Sequence, residues 1–319
     1  MTTNPIPSPP EPPTFSTGAE PPYTYTLFLG PDGLRPGWGL LFYIVMFRVL
    51  QPFFDGLAYS ATPNHPMWSQ LLEKFGDFLA ALIPALLLMK IEHRPWRSYG
   101  LAWQRAFRRD QMIGALWGFS AVTLLVAALH ALHGYDFGHI VLQGSRIGRF
   151  AAYWATMFLL VGLSEEFLFR GYSQFTLARG IGFWPTALLT SCAFAAAHRS
   201  NPGETLTGLA GVFVIGLFFC LTLRRTGSLW FAVGFHAAWD WGETFFYSVP
   251  DSGWLAPGHL LSSKLHGPTW LTGGSAGPEA SVLCFAVIAV SSLAFARVYR
   301  MQSPAAERRQ TLAHNVGSG

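Results

Sequence analysis

Apolar residues dominate this chain in runs of membrane-spanning length, separated by short polar or Gly/Pro-containing breaks. The runs lie at about Trp38–Leu57, Leu71–Ile91, Ile113–Leu132, Phe150–Ala178, Phe183–His198, Leu206–Leu223, Leu229–Val249 and Val282–Val298. None alternates with the period of a strand, and a backbone crossing lipid must satisfy its polar groups internally, so each run is predicted to be a helix. The predicted fold is therefore all-α, a polytopic membrane bundle of about eight transmembrane helices. The fourth run is longer than a hydrocarbon core requires, which predicts that it tilts or projects from the membrane. No internal repeat and no Gly/Pro-broken helix pair of the transporter kind is visible.

Composition strengthens this reading. Of 319 residues, 51% are hydrophobic and 12% charged, about half the charge of a soluble domain. The net charge of +4 raises nucleic acid as a partner, but the basic residues sit at run ends and form no long patch, so they read as topology signals. The densest cluster, Lys90, Arg94, Arg97, Arg105, Arg108 and Arg109, is assigned to the cytoplasm. Threading from it puts Arg170, Arg179, Arg224, Arg225, Arg297 and Arg300 on that side too, with both termini inside. Residues 1–36 are a Pro-rich tail without the pattern of a signal peptide, expected to be disordered and cytoplasmic. Residues 37–300 form the membrane domain and 301–319 a cytoplasmic tail. The link Glu92–Arg109 interleaves basic residues with Trp96, Tyr99, Trp103 and Phe107, as in a helix lying on anionic lipid. The outer link, Pro250 to about Ala280, is Gly/Ser/Pro-rich and carries no chemical signal. Cys192, Cys220 and Cys284 have no pairing or metal spacing and read as small hydrophobes. A compact chain without a targeting extension is expected in a bacterial inner (plasma) membrane, with a eukaryotic endomembrane as the alternative.

Some polar positions are not explained by burial in lipid. Ionisable side chains inside a span cost about 2.5–3.5 kcal/mol each on insertion scales and mark function by default. In VGLSEEFLFRGY, Glu166 and Arg170 are four apart and share a helix face, so they also read as a self-neutralising ion pair. Glu165 points about 100° away and has no local partner. His198 ends the fifth run, where a histidine taken singly is more often an interfacial or hydrogen-bonded core residue than a catalytic one. His236 and Asp240 share a face of the seventh run. Glu243 continues that stripe and is expected at the outer interface. A carboxylate with two histidines and a further oxygen ligand is what water activation needs. Either a metal lowers the pKa of its bound water to about 7, or Glu and His act as general base with another group at the oxyanion. Ser164, Ser191 and Cys192 lack a nucleophile motif, and HExxH is absent.

Together EEFLFR, FAAAH and HAAWD resemble the EExxxR, FxxxH and HxxxN/D motifs of the CAAX protease and bacteriocin-processing family (CPBP, also called Abi), in the same order and on successive segments. The resemblance covers about residues 150–249. It implies an intramembrane endopeptidase with its site among helices four, five and seven, acting on a peptide or membrane-protein substrate in the bilayer. Carried over, Glu165 and His198 position and deprotonate the water, His236 and Asp240 stabilise the oxyanion, and Glu166 with Arg170 braces the helix. If the family's chemistry uses a divalent metal such as zinc, Glu165, His198 and His236 are its ligands; otherwise there is no cofactor. Asp240 stands where an Asn can donate to an oxyanion. An ionised Asp can only accept, so it is protonated, or it orients His236 as an imidazolium donor, or it helps hold a cation. The alternatives are a non-proteolytic immunity or scaffolding protein of the same fold and a proton-coupled transporter.

Overall fold

The computed structural model describes residues 27–30, 33–95, 99–100 and 108–299. Every run read as helical is a helix: α1 (Pro36–Ala61), α2 (Pro66–Ile91), α3 (Arg109–Ala131), α4 (Ser145–Glu166) continued by α5 (Ser173–Ile181), α6 (Phe183–Ala197), α7 (Leu206–Thr226), α8 (Trp230–Trp241) and α9 (Val282–Val298). α1, α3, the continuous stretch Ser145–Ile181 and α7 are long and apolar enough to cross a membrane. α6 and α8 are shorter, at 15 and 12 residues, and α2 carries Glu73, Lys74 and Asp77. The chain is an all-α integral membrane bundle in which, among the described residues, four spans rather than eight meet the length and composition test. On α1, Val49, Phe53 and Leu57 are more than half exposed, a face suited to lipid tails.

Two site helices are broken where the sequence shows no such signal. The fourth run is not one straight α-helix: a π-helical turn, Phe167–Tyr172, joins α4 to α5, and Gly171 there leaves the helical region. A second π turn, Gly242–Tyr247, follows α8. π turns insert an extra residue and redirect the helix, often at functional sites.

Small residues bring the site helices together. Gly114 and Gly118 on α3 lie against the carbonyls of Phe231 and Phe235 on α8, and Gly234 on α8 lies against that of Gln111. This is the close backbone approach that small-xxx-small spacing permits in membranes. Gly162 on α4 does the same toward α8, where a Cβ would meet the Val233 carbonyl at 3.1 Å. Around this frame lie two large aromatic and aliphatic cores, one among α3, α7, α8 and α9, the other among α1, α2, α4 and α8.

Several expectations change at the periphery. The final part of the predicted tail is a β-ribbon, β1 (Leu29–Gly30) paired with β2 (Gly33–Leu34), held by Trp38 Nε1 donating to the Leu27 carbonyl at 3.0 Å. The rest of both tails, and residues 96–98 and 101–107 of the expected lipid-surface helix, lie outside the described residues. Tyr99, expected at the headgroups, is buried and stacks on Tyr172 at 5.2 Å. Its hydroxyl and that of Tyr172 donate to Glu92 at 3.2 and 3.0 Å, and Arg179 donates to both Glu92 oxygens at 3.3 and 3.2 Å. This latch ties the end of α2 to α5. The outer link folds back on the bundle, pairing β4 (Lys264–Leu265) with β3 (Tyr135–Asp136).

Candidate active site

α4, the end of α6 and α8 direct the motif residues into one cavity of about 520 Å³, lined among others by Glu165, His198, His236 and Asp240. Glu165 and Glu166 are adjacent on α4 and diverge. Glu166 turns inward and is fully buried, while Glu165 faces the cavity.

The inward side is a closed ion pair. Arg170 Nη1 lies 3.2 Å from Glu166 Oε1, with both side chains inaccessible to solvent. The guanidinium carbon sits 4.1 Å from the centroid of the Phe194 ring, a cation–π contact that replaces part of the lost hydration. Gly216 on α7 leaves the room, since a Cβ there would approach Arg170 Nη2 to 2.6 Å. Arg170, read from sequence as a cytoplasmic topology charge, is therefore an interior residue.

The histidines are oriented by their Nδ1 atoms. His198 Nδ1 is 2.8 Å from the Phe194 carbonyl, an acceptor only, so Nδ1 carries a proton and Nε2 is the nitrogen that faces the site. His236 Nδ1 is 3.1 Å from Glu166 Oε1, so Glu166 serves Arg170 and His236 at once. His236 Nε2 lies 3.8 Å from Glu165 Oε2 and 3.5 Å from Asp240 Oδ2, and His198 Nε2 lies 4.0 Å from Glu165 Oε2. The ring of His236 stacks on Phe219 at 5.6 Å. All six residues singled out by the three motifs meet here.

For the expected zinc set, Glu165 Oε2 lies 3.8 Å from His236 Nε2 and 4.0 Å from His198 Nε2, and the three ligand atoms do not all lie within 4.8 Å of one another. Bonds of about 2.0–2.1 Å require paired donors within about 4.2 Å of each other. Among the described residues, the group of three acidic, His or Cys side chains with ligand atoms all within 4.8 Å of one another is Asp240, Asp251 and Glu279.

That second grouping was not legible in the sequence. Asp251 and Glu279 belong to the outer link that read as carrying no chemistry, and both line the cavity. Thr244 donates to Asp251 Oδ2 at 3.1 Å, while Trp239 Nε1 and Ser252 donate to Glu279 at 3.1 and 3.2 Å. Burial, then the neighbouring Asp240 and Glu279 carboxylates, push the Asp251 carboxyl well above the usual carboxylate range. Glu243, expected at the outer interface, is fully buried instead. Lys74 also lines the cavity and pairs with Asp77 at 2.7 Å. The rule that singled out Glu165, a charge within an apolar run, applied to Lys74 as well.

Residues 147–242 match the family model for type II CAAX prenyl endopeptidases, Rce1-like, in agreement with the resemblance of the three motifs. The matched segment contains Glu165, Glu166, Arg170, His198, His236 and Asp240, and stops before Glu243, Asp251 and Glu279. No curated protein and no solved structure matches the chain.

Proposed function

We propose, from the premise that residues 147–242 form a CAAX-protease-type domain, that this membrane protein is an intramembrane endopeptidase using a Glu/His-activated water. The observation that carries the reading is the convergence of Glu165, His198 and His236 from three helices on one cavity. Gaps of 3.8 and 4.0 Å are too long for direct hydrogen bonds but suit a water held between carboxylate and imidazole.

In this reading Glu165 takes one proton from the water while the remaining O–H donates a hydrogen bond to His198 Nε2, so that the hydroxide oxygen attacks the scissile carbonyl. A tetrahedral oxyanion forms, and Glu165 returns the proton to the leaving amine. His236, with carboxylates of Glu165, Glu166 and Asp240 around it, acts as an imidazolium whose Nε2–H faces the oxyanion. Asp240 supports that charge rather than donating itself. The substrate enters the apolar cavity from the bilayer as a peptide or membrane-anchored segment. The inner-membrane location, eight crossings and cytoplasmic termini belong to the same proposal, supported by the basic link between α2 and α3.

The test is cleavage of a quenched peptide library by purified protein in detergent. Wild type should cleave with or without a zinc chelator, Glu165→Gln should lose activity with an unchanged melting temperature, and Asp240→Asn should retain part of it. Equal cleavage by wild type and Glu165→Gln would sink the peptidase reading.

A further inference from the structure

The Asp240, Asp251 and Glu279 carboxylates line the cavity with ligand atoms all within 4.8 Å of one another. An acidic cluster alone proves little, since such groups often share protons or water. Here a fourth carboxylate adds an independent observation. Glu243 is fully buried, and neither of its oxygens has a hydrogen-bond partner. Trp239, which donates to Glu279, also acts on Glu243, and the neighbouring carboxylates that act on it are those of Glu279, Asp251 and Asp240.

Among the described residues no Lys or Arg pairs with Asp240, Glu243, Asp251 or Glu279; His236 alone contacts one of them, Asp240, at 3.5 Å. An unsatisfied buried carboxylate is expensive to maintain. The neighbouring donors, Thr244, Trp239 and Ser252, are neutral groups that orient the carboxyls. That is the usual role of outer partners around a metal.

We propose that Asp240, Asp251 and Glu279, backed by Glu243, form a binding site for a hard divalent cation of the calcium class. All-oxygen donors select hard cations over zinc or copper. Donors up to 4.8 Å apart can share an ion whose bonds are about 2.3–2.6 Å long, and the site opens to the cavity, which gives the ion a path. The site is separate from the zinc set considered for Glu165, and its existence does not depend on proteolysis.

The test is binding, read without substrate. Full-length protein in detergent, stripped with EGTA, is titrated with Ca²⁺ while its melting temperature is followed, and with Tb³⁺ while luminescence is excited through tryptophan. Trp239, bonded to Glu279, is placed to sensitise a bound lanthanide. Expected are a saturable rise in melting temperature with Ca²⁺, and Tb³⁺ luminescence displaced by Ca²⁺. In Asp251→Asn/Glu279→Gln, which preserves side-chain shape, affinity should fall at least tenfold. Ser252→Ala, which removes only an orienting hydroxyl, should weaken binding by a smaller factor and guards against a double variant that fails to fold. Absence of saturable Ca²⁺ binding by wild type, or undiminished binding by the folded double variant, overturns the site. Protection by an arginine-containing peptide with no response to Ca²⁺ would overturn it in favour of a basic substrate side chain. If cation binding holds while cleavage is absent, the peptidase reading fails alone.

Discussion

Glu166 is placed to do two jobs, and a double-mutant cycle with Arg170 separates them. Arg170→Met leaves a buried carboxylate whose remaining partner is His236. Glu166→Gln leaves a guanidinium buried over Phe194 without its counter-ion. The wild-type pair is incompletely satisfied, because Arg170 Nε and Nη2 and Glu166 Oε2 have no hydrogen-bond partner. Breaking such a pair on one side is expected to cost about 3–5 kcal/mol, whereas replacing both members with uncharged groups is often near neutral. At about 2–4 °C per kcal/mol, each single variant should melt roughly 6–20 °C lower, and the double variant Glu166→Gln/Arg170→Met should recover most of that loss. Recovery of stability should not bring full recovery of activity. The amide introduced by Glu166→Gln can still accept the His236 Nδ1–H, but it supplies no counter-charge for an imidazolium, so kcat should stay about 10–100-fold down with KM little changed. The assays are thermal unfolding in detergent and initial cleavage rates. Additive single losses would refute the buried-pair argument, and a double variant with wild-type kcat would show that Glu166 only braces the helix.

Three further outcomes are expected. Gly118→Ala forces a methyl against the Phe235 carbonyl, so it should destabilise by about 1–3 kcal/mol and lower cleavage through displacement of the adjacent His236, as measured by unfolding and rate. Glu92→Gln weakens the latch to Tyr99, Tyr172 and Arg179; the melting temperature should fall by the equivalent of about 1.5–3 kcal/mol while kcat is retained. Burial raises the Glu204 carboxyl above its ordinary 4.5. Its contribution is therefore fully present below pH 4.5 and is lost as pH rises through the folded-state value; a pH series of melting temperatures should show a shallower decline in Glu204→Gln.

Hydropathy determined the helices because a backbone in lipid has few alternatives: all the predicted runs are helical, and Val282–Val298 has the predicted ends. The site motifs were legible for a related reason. Glu165, Glu166, Arg170, His198, His236 and Asp240 are conspicuous because ionisable groups are rare in apolar runs. Local spacing also gave the Glu166–Arg170 pair. It could not give the His236 contact to Glu166, which joins residues 70 positions apart. The GALWG spacing of Gly114 and Gly118 is visible in α3, but its partner on α8 is a matter of packing. Neither π turn has a distinctive sequence, because an inserted residue in a helix depends on what the redirected turn packs against.

The largest difference lies in the acidic end of the cavity. Asp251 and Glu279 stand in a polar link where carboxylates are ordinary, and only the fold of that link brings them to Asp240 and surrounds Glu243. The sequence by itself determined which segments are helical and which charges are out of place in them, because both follow from the local energetics of burial. The tertiary structure alone decided which of those charges share a dielectric, and which loop residues join them, because electrostatic partnership depends on distance in space.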